Sequence, residues 1–163
     1  MTAARYIAAA ALLGIALSSQ IGAKSPKSAA GPTPQETVAL RQASMVLIAA
    51  TTGSVKGALE RGAPAKAQTF ALRGVAKFAE HLPAYFAPST AGFPGTRAKA
   101  EIWSDWAGFK GKAAILAVAA QAAVKAAETD DKAALGAAMT AVTDSCKGCH
   151  DAYQLPPPAA KAP

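Results

Sequence analysis

Residues 135–153 read LGAAMTAVTDSCKGCHDAY, and the rest of the chain is best read outward from them. Leu135, Met139, Val142, Cys146, Cys149 and Tyr153 recur at three-four spacing, which marks one face of an α-helix. Within that face lies Cys146-Lys147-Gly148-Cys149-His150, a C-x-x-C-H pentapeptide of the kind that attaches c-type haem covalently. Two thiols three positions apart on a helix point the same way, so each can form a thioether to a haem vinyl group while His150 offers its imidazole to the iron. The competing readings are a zinc half-site, a thioredoxin-type redox pair and a structural disulfide. A lone cysteine pair with one histidine supplies too few ligands for tetrahedral zinc, and no β-α-β pattern surrounds it as a redox fold requires. These are the only two cysteines, so no other disulfide framework competes. The favoured reading is one covalent haem c, and the remaining chain must build its pocket.

Length and composition agree. With 163 residues there is room for one domain, alanine dominates, and no stretch alternates apolar with polar residues over a strand length. The expected class is all-α. Each alanine methyl buries little area, about 0.8 kcal/mol, so a large apolar cofactor would supply core that the side chains lack. The net charge of +7 admits nucleic acid, an anionic membrane or an acidic protein partner. Lys and Arg are scattered singly without aromatic interleaving, which favours a solvated basic surface and argues against nucleic acid.

Met1 to about Ala23 carries one basic residue, Arg5, then an apolar run from Tyr6 to Leu17 and small residues, the pattern of a cleaved signal peptide. The run is short for a membrane span, so residues 1–23 are read as a signal, with export to the periplasm and no span after cleavage. Residues 24–33 form a Ser/Pro/Gly/Ala lead-in. Thr33-Pro34-Gln35-Glu36 is a capping box with proline at the first helical position. The first helix follows, with a seam of Val38, Arg41, Met45, Ile48, Thr52, Val55 and Leu59, and ends near Gly62-Ala63-Pro64. Arg41 is the oddity on that seam: it either meets an anion, for which haem propionates are suited, or snorkels to water.

A second helix spans about 65–81, with Phe70, Leu72 or Val75, and Phe78 as apolar contacts. Pro83 to Arg97 is a loop whose Tyr85, Phe86 and Phe93 are candidate aromatic walls. A third helix runs from about Lys99 to Glu128 on a seam of Ile102, Trp106, Phe109, Ala113, Leu116, Ala120 and Val124. Thr129-Asp130-Asp131 recaps the chain into the fourth helix. Residues 155–163 hold four prolines and read as a disordered tail. Four amphipathic helices with short connections predict an antiparallel four-helix bundle over residues 34–154 with covalently attached haem.

Three segments together resemble the cytochrome c′ family: Arg41-Gln42-Ala43-Ser44-Met45, Glu101-Ile102-Trp103-Ser104-Asp105 with Phe109 beyond it, and Cys146 through Tyr153. The resemblance implies thioethers at Cys146 and Cys149, His150 as proximal ligand, Arg41 with Gln42 near the propionates, and Met45 over the distal face. Phe86, Trp106, Tyr153 and Gln154 complete the expected pocket. One departure stands out: four residues beyond the ligand histidine the family usually has Arg or Lys, and here it has Gln154, which removes a positive charge from the proximal side.

Function turns on the sixth position of the iron. Met139 shares a helix with His150, and His81 sits at a helix end, which leaves Met45 as the candidate. If Met45 only covers the iron, the haem is five-coordinate and open to NO or CO, without stable O₂ carriage because the distal wall lacks a hydrogen-bond donor. If it ligates, the protein is a six-coordinate low-spin His/Met electron carrier; the open form is preferred. No distal acid-base group is evident for a peroxidase, so no enzyme activity is expected. The expected partners are a redox protein, acidic if it matches the basic surface, and a second copy of the chain, since relatives are commonly dimers.

Overall fold

The computed structural model describes residues 31–157. The expectations for a signal peptide over 1–23, for most of the 24–33 lead-in and for 158–163 lie outside them. Thr33 caps α1 (Pro34–Glu60) as its sequence predicts: its hydroxyl accepts from Glu36 N, and the Glu36 carboxylate accepts from Thr33 N at 2.7 Å. A 3₁₀ turn (Ala65–Gln68) leads into α2 (Thr69–His81), and two further 3₁₀ turns (Leu82–Tyr85, Pro88–Thr90) fold the loop that follows. A single turn, α3 (Glu101–Ser104), precedes α4 (Trp106–Glu128), and α5 (Lys132–Tyr153) closes the chain.

The α3/α4 break corrects the continuous third helix expected from the seam. Asp105 adopts φ −113°, ψ 54°, and its carboxylate accepts from Gly108 N at 3.0 Å, so it ends one helix and caps the next. Side-chain capping competes with helix continuation. A second correction concerns Phe70, which is exposed while Leu72, Val75, Ala76 and Ala79 form the inward face of α2. A third concerns the tail: Leu155 N donates to Arg97 O at 2.7 Å, so order extends past Tyr153.

The four long helices form an antiparallel bundle, and its packing is uneven. α4 lies closely against α2 and α5, an approach that its buried Ala113, Ala119, Ala120, Ala123, Ala126 and Ala127 permit. α1 makes far fewer close approaches and buries only Val38, Arg41 and Val55 fully. Both principal cavities of the bundle open between α1 and α5. By length and hydropathy α1 and α4 would each be long enough to cross a membrane.

Candidate functional site

The site is built where α1 stands away from α5. One cavity, of about 320 Å³, lies between Arg41, Gln42 and Met45 on α1, Phe86 and Thr96–Ala98 from the loop, Ile102 and Phe109, and the end of α5. A second, of about 680 Å³, continues along α1 and α5 past Ile48, Phe78, Leu116, Met139 and Cys146. Met45, Leu82, Cys149 and His150 line both cavities, so the two meet in one slot with α1's thioether and α5's imidazole on its walls. Sizes of this order suit a buried cofactor.

α5 delivers the motif as the spacing requires. Cys146 and Cys149 are free and half-buried on the inward face, and His150 follows at the rim of the slot. Burial pushes both thiols above their ordinary pKa; for Cys149 the neighbouring Cys146 adds to this and the Lys112 charge opposes it. Both therefore stand as neutral thiols at neutral pH. The His150 imidazole is held below its ordinary pKa, first by partial burial and then by the positive charge of Arg97, with Asp151 opposing, so it presents a neutral ring nitrogen.

Arg41 is buried, with 4% of its surface exposed, and among the described residues no carboxylate pairs with it. Its guanidinium donates to Tyr85 O at 3.2 Å, to the Thr90 hydroxyl at 3.3 Å and to the Thr96 hydroxyl at 2.8 Å, and it lies 4.5 Å from the centre of the Phe86 ring. Burial lowers its pKa, but a guanidinium remains charged. Three bonds to neutral acceptors leave donors over, and a buried cation at the wall of a cavity is a place for an acidic arm. Gln42 is exposed and donates to Gly95 O at 3.0 Å, fastening the loop to α1.

The aromatic wall differs from expectation in one member. Trp106, expected in the pocket, lines neither cavity; it stacks behind Phe109 with ring centres 5.4 Å apart. Phe109 itself faces the slot, packed edge-on against Phe86 at 4.7 Å and Tyr153 at 5.4 Å. Trp103 holds the loop by donating Nε1–H to the carbonyls of Phe86 and Ala87 at 3.1 and 3.3 Å. Tyr153 donates its hydroxyl to Asp105 at 2.7 Å; this bond pushes its pKa up to about 12 and holds the Asp105 carboxyl below its ordinary value. Gln154 lines the cavity and accepts from Arg97 at 3.4 Å. Of the loop aromatics only Phe86 reaches the slot; Tyr85 serves through its carbonyl, and Phe93 is not part of the lining. His81 is exposed and lines neither cavity. Thr90, Thr96 and Arg97 were not foreseen, and nothing in the local sequence of the loop marks them.

A mostly apolar slot with two half-buried thiols, an imidazole beside them and a buried cation at one end fits a flat apolar group bearing acidic arms, which is what haem is. Comparison with known proteins points the same way. A family model described as Cytochrome C′ matches residues 36–154. The cytochrome c′ of Pararhodospirillum photometricum is 40% identical over 105 residues, 64% of this chain and 82% of that one. Among solved structures, a ferrous variant of the Alcaligenes xylosoxidans cytochrome c′ with bound NO is 32% identical, with TM-score 0.68 over 76% of this chain and 97% of that one. Another cytochrome c′, described as having a ligand-controlled dimer dissociation, is 27% identical, with TM-score 0.72 over 78% of this chain and all of that one.

Proposed function

The chain belongs to the cytochrome c′ family, a family with covalently attached haem c, and on that premise we propose that it is an exported, periplasmic haem protein that binds NO or CO at a five-coordinate iron and passes electrons. Cys146 and Cys149 would carry the thioethers, His150 would ligate the iron, and Met45 would stand on the opposite wall of the slot. The observation that carries this reading is the slot itself: Met45 and His150 line both cavities from opposite helices, α1 and α5. Haem supplies an iron that changes oxidation state and takes a diatomic ligand. The chain supplies everything around it. A neutral imidazole is the form suited to ligation, and the slot's walls are mostly apolar. Arg41 has donors to spare for a propionate. Met45 is a flexible apolar side chain with no N–H or O–H to donate, which disfavours stable O₂ binding while leaving NO and CO admissible.

The same thioether is also a capable ligand, so a six-coordinate His150/Met45 electron carrier is the second reading. The NO complex of the Alcaligenes relative supports the first. No acid-base side chain beside Met45 suits peroxide cleavage, which supports a non-enzymatic role. The outer face of α1, with Leu40 and Leu47 at 53% and 66% exposed, supports a homodimer, and the relative with a ligand-controlled dimer agrees. The test is the visible spectrum of the haem-loaded protein, ferric and ferrous, before and after CO. High-spin spectra with a prompt CO response are expected; a low-spin ferrous spectrum unmoved by CO overturns the open form in favour of Met45 ligation.

A further inference from the structure

We propose that Arg97 is the positive charge on the His150 side of the haem site, taking the place that Gln154 leaves neutral and favouring the ferrous state. The inference rests on the proposed haem reading, with His150 as its ligand. Its observations are long-range ones.

Gly95, at φ 77°, turns the loop, and Gln42 and Arg41 hold the turn from α1 through Gly95 O and the Thr96 hydroxyl. The next three residues then run antiparallel to the end of α5. Leu155 N donates to Arg97 O at 2.7 Å, Lys99 N donates to Tyr153 O at 3.0 Å, and Ala98 bridges Gln154. This clasp fixes the Arg97 backbone, and two bonds fix its head: Nε donates to Leu155 O at 2.8 Å and the guanidinium reaches Gln154 Oε1 at 3.4 Å. The guanidinium thus stands over the residue one turn beyond His150, and it lines the same cavity as His150.

Its partners are all neutral. No ion pair among the described residues uses Arg97, whereas Asp151, next to His150 in sequence, is paired with Lys147. Lys99 is spent on the carbonyls of Asp151 and Ala152. An uncompensated cation near a redox iron favours the form with one positive charge fewer. The side chain is exposed, so water and salt screen the effect. An effect of about threefold in the ferric/ferrous equilibrium is expected, about 28 mV at 59 mV per tenfold for one electron.

The test is a potentiometric titration, at low salt, of the haem-loaded full chain and its Arg97→Gln, Arg97→Met and Arg97→Lys variants. Removing the charge should lower the potential by about that amount in both neutral variants, and Lys, which keeps the charge but not the guanidinium fork, should restore most of it. A potential unmoved by Gln and Met overturns the inference, and so does a Lys variant that falls with them, because the clasp rather than the charge would then be responsible. A chain recovered without covalent haem would instead overturn the proposed function, and this inference with it.

Discussion

Replacing Met45 by alanine asks most directly what the slot is for. Met45 is half-buried and lines both cavities, so on the proposed reading a ligand binding the distal side of the iron would have to displace it. Full burial of a methionine is worth about 1.5–3 kcal/mol, and displacing a half-buried one forfeits about 1 kcal/mol of that. Forcing the side chain off its preferred rotamer adds about 0.5–1.5 kcal/mol. The lid therefore costs an incoming ligand about 2 kcal/mol, roughly 30-fold in affinity at 1.4 kcal/mol per factor of ten. Titration of the ferrous protein with CO, followed by visible absorption, should show Met45→Ala binding about 30-fold more tightly than wild type, with both proteins high-spin beforehand. Affinities within about threefold of each other would refute the reasoning, since the thioether would then not obstruct the site. A wild type that is low-spin and becomes high-spin only on Met45→Ala would refute it differently, by making Met45 a ligand.

Arg41→Ala removes the donor from Tyr85 O, at about 1–3 kcal/mol for a buried acceptor left unpaired, while the Thr90 and Thr96 hydroxyls keep Ala87 O and Ala98 N, so urea unfolding of the haem-free chain should show a loss of about 1–3 kcal/mol; an unchanged midpoint would contradict the contacts. Tyr153→Phe tests pH dependence. The Tyr153 pKa is raised to about 12, so the bond's stabilisation is fully present below the unfolded phenol value near 10 and fades as pH climbs through the folded one; the Asp105 pKa is lowered, so its share is present above the unfolded carboxyl value and fades as pH falls through the folded one. The variant should lose stability most across the neutral range and have shallower acid and alkaline limbs in urea midpoints against pH; unaltered limbs would dismiss the Tyr153–Asp105 bond as their source. Gln154→Arg should raise the haem potential, as a second cation on the His150 side, and an unchanged or lower value counts against that electrostatic picture. Electron transfer with an acidic partner should slow as ionic strength rises; salt-independent rates would exclude steering by the basic surface.

The parts of this molecule that obey a short period were legible in advance. Val38, Arg41 and Val55 are the fully buried positions of α1, and all three lie on the seam that three-four spacing picks out. Thr33 and Asp131 cap their helices as their local patterns require. The α3/α4 break was invisible because Ile102, Trp106 and Phe109 keep helical phase across it. Only a partner 48 residues away, Tyr153, shows that the Asp105 side chain is engaged twice, once by Gly108 N and once by the phenol. The same holds for Trp106 and Phe109: spacing puts both on one stripe, and the stacking between them decides which one faces the cavity. The loop from Pro83 to Ala100 was the least readable stretch, since its conformation is set by Arg41, Gln42, Trp103 and Leu155, all outside it.

The site lies where two helices of the bundle, α1 and α5, make little contact. α4 closes on α2 and on α5 through alanine faces that allow near approach but bury little area per residue. α1 cannot join them at that distance, because Met45, Ile48 and Leu59 face a slot instead of a helix. At one end α1 is tied to the rest by polar contacts: the guanidinium of Arg41 and the amide of Gln42 hold the loop, and the loop in turn clasps Tyr153, Gln154 and Leu155; toward the other end Val55 and Leu59 pack into the core. A haem fixed to α5 at Cys146 and Cys149 would supply the apolar surface that α1 otherwise lacks. The space that admits the cofactor and the incomplete burial of α1 are thus one feature, the slot that Met45 and Ile48 face instead of a neighbouring helix.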